Sequence, residues 1–247
     1  MANSRFLTAF LLSATLAAAG CKHSGAGAAP TFDPATAGTI SGVVHFDGKA
    51  PAPTDIDMSM DPGCTMNNET NASEDVVVVK NVLANVYVYV KAGAANSTTP
   101  DGTAPVVLDQ KGCRYIPHVI AVQQGGSVQI KNSDVTMHNV HTTPTDGSAS
   151  IDVSQGPKGE PKTQKFDKPQ TMTPIRCNNH PWMQAYINVS PNPYFAVTGA
   201  DGSFTLRNLP PGTYTVAAVH ETLGEKDVQV TVPAKGTGTA AFSFTGK

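Results

Sequence analysis

Val86-Tyr87-Val88-Tyr89-Val90-Lys91 alternates aliphatic residues with residues that end in a polar group. A period of two places the three valines on one face and the polar tips on the other, the pattern of a half-buried β-strand. The same alternation recurs on both sides. Upstream, Ile40, Val44 and Phe46 alternate with Ser41, His45 and Asp47 and stop at Asp47-Gly48, and Val76 to Val79 forms a shorter run. Downstream come Val119 to Val122, Val128/Ile130, Val135 to Val140, Ala185/Ile187/Val189, Phe204/Leu206, Thr213 to Val219, Val228/Val230/Val232 and Phe242/Phe244. Asp101-Gly102, Gly125-Gly126, Asp146-Gly147, Asp201-Gly202 and Pro211-Gly212 separate them as turns. No sustained helical period follows residue 20, so the chain reads as all-β, built from one or two sandwiches. Residues 142–173 are polar and rich in Pro, Gly and Lys, and read as a long loop with edge-strand fragments.

With 247 residues the chain has room for one large domain or two modest ones. Its 17 Lys+Arg against 19 Asp+Glu leave a formal charge of −2, which argues against a nucleic-acid surface and against an acidic solvating tail. Four cysteines are too few for a disulfide-dense scaffold, so the core must come from aliphatics.

Residues 1–20 stand apart. Arg5 precedes an apolar run from Phe6 to Ala19 that suits a secretory signal but falls short of the roughly 20 residues of a membrane span. The run ends Ala18-Ala19-Gly20-Cys21, which resembles a bacterial lipoprotein signal, although Ala18 stands where that family usually has Leu. The resemblance implies lipid attachment at Cys21; ordinary secretion would leave Cys21 as a thiol. Residues 21–38 read as a flexible linker. The chain is therefore expected to be exported to the periplasm or cell surface and to meet the membrane only through a lipid anchor.

Cys177-Asn178-Asn179-His180-Pro181-Trp182-Met183 holds a thiolate, an imidazole and a thioether in one short loop, and His138 on an earlier strand adds a second imidazole. Soft sulfur with two imidazoles is the set copper prefers, with a thioether as weak axial ligand. Zinc more often takes four strong ligands. A buried free cysteine beside an incidental His and a core Met is the bland alternative.

The stretch from about Tyr115 to Val189 resembles the cupredoxin family, the small blue copper proteins, and within it the amicyanins. Tyr115-Ile116-Pro117 with Val119, Val122, Gly126, Val128 and Lys131-Asn132 is similar to the opening strands. Met137-His138-Asn139-Val140-His141 is similar to the first ligand motif, and Cys-x2-His-Pro-x-Met to the ligand loop. The resemblance implies His138, Cys177, His180 and Met183 as ligands of one type 1 copper, with Asn139 tying the two ligand loops together. Trp182 is then read as facing the surface in a docking and electron-exit patch, against a core-anchor alternative. His45, His118, His141 and His220 read as surface or internally satisfied histidines.

Gly38 to Val44, Thr198 to Leu206 and Leu209-Pro210-Pro211-Gly212-Thr213-Tyr214 resemble a carboxypeptidase regulatory-like domain, a prealbumin-like, non-catalytic β-sandwich. The resulting expectation is residues 39–100 and 193–247 as two halves of that sandwich and 101–192 as a Greek-key cupredoxin domain inserted in it, or lying next to it. Cys64 and Cys113 are left over. They could form a disulfide, nominally worth about 4 kcal/mol; a second soft Cu(I) site with Met58, Met60, Met66 and His118; or free thiols.

These readings lead to a carrier of single electrons between protein redox partners, with methylamine-type oxidation as the pathway the resemblance suggests. It would not be an enzyme and would have no small-molecule substrate, since all four ligand positions are filled. A periplasmic copper chaperone or sensor, or a non-redox structural or adhesion module, are the competing classes.

Overall fold

The computed structural model describes residues 1, 32–66 and 71–246. The expected signal segment beyond Met1, and Cys21, lie outside the described residues. The expectation of an all-β chain holds: eighteen strands and one five-residue helix are formed among the described residues.

The N-terminal strands are β1 (Gly38–Asp47), β2 (Val78–Val79), β3 (Val82–Leu83) and β4 (Tyr87–Ala92), with helix α1 (Pro62–Met66) between β1 and β2. Nine strands follow: β5 (Val106–Gln110), β6 (Tyr115–Ile116), β7 (Val119–Gln123), β8 (Gly126–Asn132), β9 (His138–Thr142), β10 (Asp152–Gln155), β11 (Lys162–Phe166), β12 (Gln170–Arg176) and β13 (Gln184–Ser190). The last five are β14 (Phe195–Val197), β15 (Ser203–Leu209), β16 (Gly212–His220), β17 (Gly224–Val232) and β18 (Thr237–Thr245).

Strands β1–β4 and β14–β18 form two sheets. In one, β1 lies between antiparallel β15 and parallel β18 and also touches β3; in the other the order is β14-β4-β16-β17. Their inner faces share one core, with Ile40, Val44, Phe46, Phe204 and Phe242 from the first sheet against Val88, Val90, Val216 and Val230 from the second. Strands β5–β13 form the other two sheets, β10-β9-β12-β13-β7 and β11-β8-β5-β6, which enclose a separate core. Leu108, Val128 and Ile130 pack there against Val122, Val140, Ile175 and Ile187. Each sandwich buries the apolar face that the two-residue period creates.

Residues 142–173 are a loop-rich stretch with edge strands β10 and β11, as read, and one point needs correction: β12, which starts at Gln170, is an interior strand and not an edge fragment. β10 and β11 are sheet edges, and each buries only its last residue, Gln155 and Phe166, so they carry almost no apolar signal. The expected strand over Val135 to Val140 is also shorter. Val135 and Met137 are exposed, and β9 begins at His138.

Cys64 of α1 and Cys113, in the turn between β5 and β6, are joined in a disulfide. It fastens the long β1–β2 connection onto the β5–β13 sandwich, the inner one in chain order, the sandwich of β1–β4 with β14–β18 being the outer.

Candidate metal centre

β12 ends at Arg176 and β13 starts at Gln184, so the loop between them begins with Cys177 and closes with Met183. The loop is folded on itself: the Met183 N–H donates to the His180 carbonyl at 2.9 Å, and the Cys177 N–H donates to the Met183 carbonyl at 3.4 Å. His138 opens β9, which pairs with β12 at Thr142 and His141, so the first histidine is carried to the mouth of that loop.

Cys177, His138 and His180 offer ligand atoms that all lie within 4.8 Å of one another. The two Nδ1 atoms are 2.9 Å apart, and His180 Nδ1 is 3.6 Å from Cys177 Sγ. His138 is 0%, Cys177 4%, His180 4% and Met183 1% exposed, so water is excluded from all four. Met183 packs in the same core cluster as Cys177.

The outward nitrogens explain why the inward ones converge. His138 Nε2 is 2.9 Å from Asp134 Oδ2, and His180 Nε2 is 3.0 Å from Asp61 Oδ2. A carboxylate accepts, so each Nε2 carries a proton, which leaves Nδ1 as the inward atom of each ring and the one that would bind a metal once deprotonated. Two imidazole nitrogens and a sulfur thus converge in a buried space, where an inward Nδ1 proton can bridge neighbouring ligand atoms and a metal ion would take that proton's place. The donor set, imidazole–imidazole–thiolate with a buried thioether alongside, fits copper.

The electrostatics prepare the ligands. Burial alone would raise the Cys177 thiol, but hydrogen bonds from His138, from the backbone of Asn139 and Asn179 and from His180 outweigh it and leave a pKa of about 6. Burial opposes the charged form of His138 too, yet its bond to Asp134 raises its pKa overall. Asp134 would be raised by burial but is held low by His138 and by the N–H groups of Cys113 and Gly112. For Asp61 the bond from Thr136 is the main lowering cause. A metal must displace the Cys177 proton below its pKa and need not above it. Apparent copper affinity should therefore fall at least about tenfold per pH unit as pH drops below about 6, as a chelator competition across pH would read.

Asn139 joins the two ligand loops. Its Oδ1 accepts the Asn178 N–H at 2.6 Å, its Nδ2 donates to Asp152 at 2.6 Å, and its carbonyl accepts the Tyr115 hydroxyl. Asn139→Ala orphans a half-buried N–H in the ligand loop. It should cost about 1–3 kcal/mol of stability, measured by denaturant unfolding of the metal-free protein.

Trp182 departs from the expected exposed patch. It is half-buried, packs on the inner core, lies tilted against the His180 ring with centroids 5.1 Å apart and has a buried Nε1. The connection that carries α1 brings Asp61 against His180, and this is what covers the imidazole edge. His118 is buried against Glu221 at 2.8 Å, His141 bonds Asn178 at 3.0 Å, His220 is buried, and His45 is exposed. Asp134 and Asp61 were missed in the sequence. Asp134 has a weak signal, lying four residues before His138, whereas Asp61 reaches the site across 119 positions and has none.

A family model, the β-sandwich domain of ER membrane protein complex subunit 7, matches residues 176–243, from the end of β12 through the ligand loop and into β18. No curated protein is similar to the chain at a significant level. Among solved structures, the chain is similar to a copper-containing nitrite reductase from Thermus scotoductus SA-01, with 23% identity over 38% of this chain and 25% of that one at a TM-score of 0.32. It thus spans about a quarter of the reductase's length. It is also similar to amicyanin from Paracoccus versutus, with 19% identity over 42% of this chain and 97% of that one at a TM-score of 0.32. A point mutant of amicyanin in its Cu(I) form gives 18% identity over 42% of this chain and 98% of that one, again at a TM-score of 0.32. These likenesses are too distant to say what the chain does, and the functional reading rests on the site itself. Among the described residues no helix is long and apolar enough to cross a membrane.

Proposed function

We propose that the chain is an exported type 1 copper protein that carries single electrons between protein partners. The observation that supports this most is the pair of inward Nδ1 atoms, 2.9 Å apart and backed by carboxylates, with the Cys177 sulfur beside them. His138, His180 and Cys177 would hold the ion, with Met183 as the weak fourth ligand. Copper bound there would supply a reversible one-electron couple. The protein contributes a fixed geometry, through the short closed loop and Asn139, and a dry surrounding. With four ligand positions taken and no open position for substrate, an electron carrier suits the site better than a catalyst. Methylamine-type oxidation remains the pathway that the family resemblance suggests. Export, and an anchor at Cys21, rest on the leader and the small residues before that cysteine. Cys21→Ser should release the protein from membranes on fractionation, and unchanged membrane binding would place the anchor elsewhere.

Met183→Gln tests the axial role. A harder amide oxygen favours Cu(II) over Cu(I), so the variant should keep copper and lower the reduction potential; each 59 mV is a tenfold change in the one-electron equilibrium. An unchanged potential at full occupancy would make Met183 core packing only.

The outer sandwich supports a second, complementary role. The family match runs through β14–β17 and names a subunit of an assembly, which favours a non-catalytic assembly module carrying the copper domain. A copper chaperone is the competing class. Exchange of the metal with a chelator within minutes would favour it over a carrier.

A further inference from the structure

Two more groups of ligand atoms flank the centre. Asp61, Cys64 and His180 bring donor atoms within 4.8 Å of one another, and so do Cys113, Asp134 and His138. The two sulfurs in these groups are the two halves of the Cys64–Cys113 disulfide. The disulfide therefore lies beside both imidazoles and their carboxylates, and its residues are 0% and 1% exposed. This placement is more specific than a staple requires, since a bond that merely fastened the β1–β2 connection could lie anywhere along it.

We propose that Cys64 and Cys113 form a second, redox-gated Cu(I) site, absent while they are a disulfide and created when a dithiol reduces them. In that step the dithiol gives up two electrons and leaves as its own disulfide. The Cys64–Cys113 bond breaks, and each sulfur takes up one of the dithiol's protons. Cu(I) then displaces the two thiol protons and forms two Cu–S bonds without changing oxidation state.

Chemistry decides the metal. Two thiolates are soft donors and suit Cu(I). The neighbouring imidazoles are not free to complete a zinc tetrahedron: their Nδ1 atoms face Cys177, and their Nε2–H groups are engaged by Asp61 and Asp134. Those carboxylates are themselves occupied, Asp61 by the Thr136 hydroxyl at 2.7 Å and Asp134 by the Gly112 and Cys113 N–H groups at 2.7 and 2.8 Å. What reduction adds is thus a pair of sulfurs, enough for a two-coordinate soft ion and too few for a hard one. The site shares no sulfur with the Cys177 centre and does not depend on the electron-carrier reading.

The test uses the full chain with Cys21→Ser in every arm, so that this residue adds no thiol, and with Cys177→Ala to silence the first centre. Protein made in a reducing compartment and kept anaerobic supplies the dithiol form without requiring a reagent to enter the core. Cu(I) itself is the probe, measured against a chromophoric Cu(I) chelator, with near-UV circular dichroism confirming the fold. The disulfide form should retain no Cu(I), and the dithiol form should retain one Cu(I) per monomer. That copper should be lost after alkylation of the dithiol or in the added Cys64→Ser/Cys113→Ser variant. If Cys177→Ala does not fold, the same measurement on the Cys177 protein should rise from one Cu(I) to two on reduction. A dithiol form that binds no more Cu(I) than the disulfide form, or binding that survives alkylation, overturns the proposal. A missing blue colour in the Cys177 protein would count against the electron-carrier reading alone.

Discussion

Cys177→Ala should remove all strong visible absorption from the copper-loaded protein and weaken copper binding by more than the roughly 100-fold expected from losing a mere outer partner of a ligand. The reason is local. Cys177 is the only free cysteine among the described residues, it is buried, and its pKa of about 6 makes it a thiolate at neutral pH. Without the sulfur, His138 and His180 remain as two imidazoles with a thioether, a set that can still hold copper loosely but has no thiolate-to-metal transition. His138→Ala should weaken binding as well, yet leave the residual copper coloured because the sulfur persists. Comparing the two spectra at equal occupancy separates the roles, and colour surviving in Cys177→Ala would remove that residue from the centre.

Gly42→Ala should unfold the outer sandwich while sparing the inner one. Gly42 lies in the middle of β1, facing Phe204 on β15 and Ala240 on β18. A Cβ there would stand 1.7 Å from the Ala240 carbonyl oxygen and 2.8 Å from Phe204 Cζ. The first contact is with backbone, so no rotamer change relieves it and the parallel β1–β18 pairing must open. A cost at or above the roughly 3 kcal/mol upper range of ordinary overpacking is expected. Calorimetry of the copper-loaded protein should show an outer transition that moves down or disappears, with the visible band of the inner domain retained. For the same reason a fragment of residues 193–247 should not fold, since β15 and β18 lack β1 and β16 lacks β4. Loss of both transitions together in Gly42→Ala would mean that the two sandwiches unfold as one unit.

The sequence exposed those features that repeat or cluster locally. Alternation in 86–91 and around Ile40 marked strands because one face of each is buried, and the ligand loop was readable because three of its donors fall within seven residues. Polar edge strands were readable only as fragments within a loop: β10 and β11 bury few side chains, so no period forces itself on their composition. Trp182 misled because a tryptophan in a ligand loop resembles an exposed patch, whereas the α1 connection, distant in sequence, folds over that side. The carboxylates behind the imidazoles belong to the same limitation. Asp61 and His180 become neighbours only through tertiary structure, and nothing in either residue's local sequence announces the other.

A type 1 copper centre at the buried His138–Cys177–His180 constellation would be coloured once loaded. Optical titration of the purified full chain with Cu(II) tests it most directly. The expected result is an intense visible charge-transfer band that grows linearly and saturates at one copper per chain. Full copper occupancy without such a band would contradict it.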